Sequence, residues 1–159
     1  AIPPPPPPPL LSLLTSSSLA YLSTTSSSSP HLSLMNFTFD PTRQIIIMTS
    51  RTDTLKAQLL KANPNVALLI HDFPTQISSS TSLYSQTYSI TLYGSARFIT
   101  SPSLSSTLRD LHAEKNAKYE NFIRGEGIGV FIIEVEEARI CDEGDKVRKW
   151  RVGEEGVRE

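Results

Sequence analysis

A chain of 159 residues with a formal net charge of −1 and no block of like charge is the size of one domain with one core. It offers no basic face for a nucleic acid or an anionic membrane surface. The only cysteine, Cys141, excludes an intramolecular disulfide and reads as a reducing compartment, the cytoplasm.

The first nine residues form a proline-rich arm: Pro3 to Pro9 are expected in a polyproline II conformation, and residues 10–159 form the single domain. The chain starts with Ala rather than Met, so further residues are expected upstream. Leu10 to Leu22 has the apolar character of a signal-peptide centre, but prolines and no basic residue precede it. It is also too short and too rich in Ser to span a membrane. Leu10, Leu11, Leu13 and Leu14 suit a short helix on a barrel end.

Leu19 to Thr24 reads as the first strand and His31 to Phe39 as the second. In the second, the apolar phase changes between Leu34 and Met35, which predicts a β-bulge there. Ile45 to Met48, after a turn at Asp40-Pro41, is a core strand forming a hairpin with it. A helix follows from Asp53 to Ala62, with Asp53 or Thr54 as its cap and Asn63-Pro64 as its stop, Asn63 suiting a left-handed cap.

Asn65 to Asp72 is apolar on both parities and predicts a strand buried on both faces, with His71 as a hydrogen-bonded structural residue. Pro74 to Gln86 is a polar loop. Thr87 to Thr100 is a long strand with Gly94 at a bend or close approach. Ser101-Pro102 opens a helix whose apolar side takes in Leu104, Leu108, Leu111, Tyr119, Phe122 and Ile123, with a break near Asn116. Gly125 to Gly129 turns the chain into a strand from Val130 that runs outward to Asp142. Lys146 to Val152 is the last strand and carries Trp150. About six strands with few helices predict a mainly β fold, a closed or split antiparallel barrel.

Chemistry concentrates between the Ile45 strand and its helix. Thr49, Ser50, Arg51, Thr52, Asp53 and Thr54 are rich in hydroxyls, and Lys56 sits in the first helical turn, where the macrodipole disfavours a cation. Hydroxyls, open backbone N–H groups, an Arg and a Lys describe an anion site, most naturally for phosphate. A solvated helix start with long side chains reaching water fits the same pattern. The histidines His31, His71 and His112 match no metal spacing, and no Ser/His/Asp triad or carboxylate pair can be assembled.

The run T-x-x-x-x-T-x-K-x-x-x-L-x-x-N-P after an apolar strand resembles the flavin-phosphate segment of pyridoxamine 5'-phosphate oxidase-like proteins, which are FMN-binding split β-barrels. The order of elements from about Leu19 to Trp150 resembles the same family, with Thr91 to Ala96 similar to its x-x-x-G-x-A strand. The resemblance implies FMN, or alternatively a deazaflavin or no cofactor. It implies contacts from Ser33, Leu34, Met35 and Asn36 and from Thr49 and Ser50 around the ring. It puts Arg51, Thr54 and Lys56 at the phosphate, and Trp150 beside the ring from the partner of a homodimer.

This chain departs from the family's oxidases where Ser33 and Leu55 stand in place of arginines, where Ser89 stands in place of a glutamine, and after Trp150, where a basic, His-containing segment is absent. Turnover of vitamin B6 phosphates is therefore expected to be weak or absent. The implied function is an FMN-dependent oxidoreductase of an unidentified small molecule. The alternative is a non-catalytic flavin- or tetrapyrrole-binding or dimeric interaction protein on the same barrel.

Overall fold

The computed structural model describes residues 5–73 and 87–154. The expected 74–86 loop lies outside them.

The first helix, α1 (Pro8–Ser16), begins inside the proline tract rather than after it. Proline is suited to the first helical turn, where its missing N–H is not needed. Leu10, Leu13 and Leu14 are buried from this helix.

Strands β1 (Leu19–Thr25) and β2 (Pro30–Asn36) pair in unbroken register, from Leu19 opposite Asn36 to Thr25 opposite Pro30. The expected bulge at Leu34-Met35 is therefore absent. The apolar phase changes because Leu32 and Leu34 point outward, at 65% and 57% exposure, while Met35 points inward. The break in the strand comes later, at the fully buried Phe37, whose N–H donates to the Ser18 carbonyl.

Beyond Phe37 the chain switches partners. Strand β3 (Thr38–Asp40) pairs with β4 (Ile45–Arg51) across a turn held by Asp40, whose carboxylate accepts from the Thr42 N–H at 2.9 Å and pairs with Arg43 at 2.7 Å. Strand β4 is buried on both faces. Ile46 and Met48 enter the main core; Ile45 and Ile47 enter a second cluster with Leu108, Val130 and Ile132.

Helix α2 (Leu55–Ala62) is capped by Thr54, whose hydroxyl accepts from the Ala57 N–H. Asn63 ends it in an extended conformation (φ −140°), not the expected left-handed one. The following Pro64 sterically drives its predecessor out of the helical regions.

Strand β5 (Asn65–His71) buries Val66, Leu68 and Ile70 but leaves its other face half-buried, so the expectation of two buried faces is corrected. His71 is not anchored by its Nδ1, which is buried without a hydrogen-bond partner; its ring stacks near Tyr21 and Phe73.

Strand β6 (Tyr88–Phe98) shifts register between Tyr93 and Gly94, where a Cβ would collide with the Glu134 carbonyl of β7 (Ile128–Asp142). Strand β8 (Val147–Arg151) pairs with the outer half of β7. Helix α3 (Pro102–Lys115) is capped by Ser101 and stops at Asn116. A short 3-10 turn and α4 (Asn121–Arg124) follow. Phe122 is 71% exposed and Tyr119 is also exposed, so neither joins the apolar side of α3.

The strands form one curled antiparallel sheet in the order β2-β1-β5-β6-β7-β4-β3, with β8 on β7. This is a split barrel. Its interior holds Leu22, Phe37, Met48, Leu68, Ile90, Phe131 and Trp150, while α3 covers the outer side of β3, β4 and β7. Among the described residues no helix is long and apolar enough to cross a membrane.

Candidate functional site

A cleft of about 550 Å³ opens at the ends of β2 and β4. Its walls come from the end of β2, the end of β4, the start of α2, and the segment from α3 through α4 to the start of β7. Eight of the ten candidates, Leu34, Met35, Asn36, Thr49, Ser50, Arg51, Thr54 and Lys56, line it together.

Two do not. Ser33 lies further down β2 opposite Leu22, its hydroxyl buried without a partner. Trp150 is buried in the barrel core and borders a separate surface depression with Glu137, Lys149, Arg151 and Glu154. Within one chain, then, Trp150 does not reach the cleft.

Among the described residues that line the cleft, Lys56 is the cation without a carboxylate partner. Its Nζ lies 3.0 Å from the Met35 sulfur, a weak acceptor, and no carboxylate pairs with it among the described residues. Burial lowers its pKa, since an ammonium loses hydration there. Arg51 is already neutralised: Nε and a terminal nitrogen donate to the two Asp53 oxygens at 3.0 and 2.7 Å. That pair is exposed and holds the Asp53 carboxyl below its usual range.

The hydroxyls are committed as well. Thr54 donates to the Arg51 carbonyl at 3.0 Å, Ser50 to the same carbonyl at 3.1 Å, and Thr49 to the Phe122 carbonyl at 3.0 Å. They brace the cleft and tie α4 to β4. Arg109 of α3 braces the same wall by donating to the Ile123 carbonyl and, at 3.0 Å, to that of Ile128. Asn36 presents a buried side-chain oxygen with no hydrogen-bond partner.

The wall opposite α2 was not foreseen as part of a site. It comprises His112, Tyr119, Asn121, Phe122, Ile123 and Ile128. The available signal was the helix break at Asn116 followed by the glycines at 125–129, which bracket apolar side chains that no single helix face can bury.

His112 is 1% exposed and sits in a buried network. Its Nδ1 lies 2.8 Å from the Thr38 hydroxyl and 3.3 Å from Asn116 Nδ2, which also donates to Thr38 at 3.1 Å. Asn116 Nδ2 also donates to the His112 backbone carbonyl at 3.1 Å. Burial, and then the charge of Lys115, bring the His112 pKa down to about 4.

A family model described as pyridoxamine 5'-phosphate oxidase matches residues 7–142. The chain belongs to the pyridoxamine 5'-phosphate oxidase family.

A Schizosaccharomyces pombe protein described as a pyridoxamine 5'-phosphate oxidase homolog is 31% identical over 147 residues, covering 76% of this chain and 77% of the relative. A heme-binding protein from Mycobacterium smegmatis superposes with a TM-score of 0.72 at 16% identity, over 92% of this chain and 59% of that one. An FAD-binding protein from Mesorhizobium loti superposes with a TM-score of 0.65 at 12% identity, over 87% and 96%. At such identities the structural likenesses establish the split barrel of the pyridoxamine 5'-phosphate oxidase family and nothing finer.

Proposed function

We propose that the cleft binds FMN and that the protein is an FMN-dependent oxidoreductase of a small molecule, working as a homodimer in the cytoplasm. The observation that carries this reading is Lys56: a half-buried ammonium with no carboxylate partner among the described residues, at a helix start facing a cleft. A phosphate there gains a charge-assisted hydrogen bond, and the first-turn N–H groups of α2 have no partner inside the helix.

In this reading Lys56 and the start of α2 hold the phosphate, and Leu34, Met35 and Asn36 border the ring. The flavin, when bound, supplies the redox chemistry; the chain supplies position and electrostatics. Thr49, Ser50 and Thr54 keep the wall rigid instead of donating to the ligand. Arg51, spent on Asp53, is a poor substitute for the family arginines replaced by Ser33 and Leu55. That loss is what favours the second reading, a barrel that binds its cofactor without turning it over.

The dimer is supported by the outward apolar side chains of β1 and β2. Leu19, Tyr21, Leu32 and Leu34 are all exposed, and Leu34 also lines the cleft. A partner seated there would adjoin the site.

The test is direct. Protein purified from cells is expected to be yellow, with FMN as the released chromophore by mass, and the stripped protein to take up FMN at a ratio of one per chain. A colourless protein that takes up no flavin would refute the reading.

A further inference from the structure

The lysines of this chain are held in different ways. Lys115 Nζ donates to the Ser17 carbonyl at 2.6 Å and lies 5.1 Å from the centre of the Phe37 ring. Lys61 and Lys118 lie over the rings of Phe98 and Tyr119, at 5.3 and 5.9 Å. A carbonyl oxygen or a π face favours the protonated ammonium. Lys56 is the lysine that lines the cleft, and its Nζ meets the Met35 sulfur at 3.0 Å. A thioether is a weak acceptor and does little to hold a proton on the nitrogen.

The rest of the cleft adds nothing that would hold it. Among the described residues no Asp or Glu lines the cleft, and its other cation, Arg51, is spent on Asp53. Burial lowers the pKa of Lys56 and of Lys115; of the two, Lys56 lines the cleft. A half-buried amine with no carboxylate and no strong acceptor is suited to act as a nucleophile. Leu34, Tyr119, Phe122, Ile123 and Ile128 line the same cleft, whose 550 Å³ is the volume of a site for a small, largely apolar ligand.

We infer that Lys56 is a carbonyl-reactive amine and that this cleft captures aromatic aldehydes on it as an imine. The neutral amine attacks the aldehyde carbon through its lone pair, and the N–C bond forms as the C=O π bond opens. The carbinolamine then loses its oxygen as water, which carries off both amine hydrogens, and nothing is oxidised or reduced. This use of Lys56 goes beyond the phosphate contact proposed above and needs no flavin, so it is decided separately from FMN uptake.

The full chain, stripped of any chromophore, is incubated at neutral pH with 2-naphthaldehyde and cyanoborohydride. The hydride reduces the imine carbon and leaves a stable secondary amine, and the lysine peptides are mapped by mass spectrometry. With one equivalent of aldehyde, Lys56 is expected to carry most of the lysine-borne label, ahead of Lys61, Lys115 and Lys118. With propanal that preference is expected to fall by about 10-fold, the effect of burying roughly two fewer methylene-sized groups. Lys56→Arg keeps the charge but has no amine that loses its proton near neutral pH, and is expected to lose this label. Lys61→Arg, an exposed change on the same helix, is expected to keep it.

The wild type alone can overturn the inference, whatever the variants do to folding. A label spread over the lysines according to their exposure does so. So does an undiminished share on Lys56 with propanal, which would remove the aromatic preference.

Discussion

Lys56 shows how little of a cation's environment is carried by its neighbours in sequence. Its contact is Met35, which lies 21 positions away, and the two meet only because β2 ends and α2 starts at the same cleft. A hydrogen bond to a charged group contributes about 1.5–3 kcal/mol, so Lys56→Ala should weaken FMN binding by about 10- to 150-fold. Riboflavin, without a phosphate, should be affected far less. Titration of both flavins against both proteins checks this; equal losses would point to general disruption of the cleft. The variant should keep its fold, because a first-turn cation opposes the macrodipole and Ala favours helix.

His112 makes an equally specific statement about pH. Its folded pKa, about 4, lies below the ordinary 6.5, so the unfolded chain binds the extra proton first. Stability is then fully present above about pH 6.5 and declines as pH falls toward 4, by at most about 3 kcal/mol. Acid melting curves of wild type and His112→Gln should diverge in that window and run parallel above pH 7. The network was not legible in the sequence, because Thr38 lies 74 positions from His112.

At the scale of elements, what was legible was local. The caps at Thr54 and Ser101, the break at Asn116 and the close approach at Gly94 each follow from residues within a few positions. Gly94→Val tests the last of these. A side chain there has to displace the Glu134 backbone, and overpacking of this kind costs about 1–3 kcal/mol or more. A lower urea midpoint with an unchanged slope is the expected result.

The misreadings share a cause. The phase change in β2 predicts a bulge only where every leucine faces a core, and Leu32 and Leu34 lie on an uncovered surface instead. Tyr119 and Phe122 fit a helix face by spacing and stand exposed for the same reason. Exposed apolar side chains violate the pattern on which periodicity depends, and these lie beside or within the cleft.

For the molecule as a whole, the outward side of β1 and β2 is the place to test assembly. Tyr21 stands opposite Leu34, and β2 ends the sheet as an edge strand. An apolar face beside an unpaired edge invites another chain. The wild type should sediment as a dimer at tens of micromolar, roughly the range where a standard interface holds. Leu34→Asp should shift it toward monomer, since the aspartate would have to be buried without a partner. A monomeric wild type would remove the homodimer.

Phe37 has a temporal consequence. It joins β2 to β3, strands that are consecutive in the chain yet stand at opposite ends of the sheet path. The β1–β2 and β3–β4 hairpins are local and can form within microseconds. Joining them into a barrel waits for β7, whose pairing with β4 spans some eighty positions, from Arg51 to Ile128 at its shortest. Contacts of that separation are entropically slow to close. The cleft draws one wall from residues 34–56 and the other from residues 112–128, so it exists only after that closure. A ligand of this cleft thus arrives at a finished molecule: it can slow unfolding by holding the two walls together, but it has no template to offer the chain while the barrel is still open.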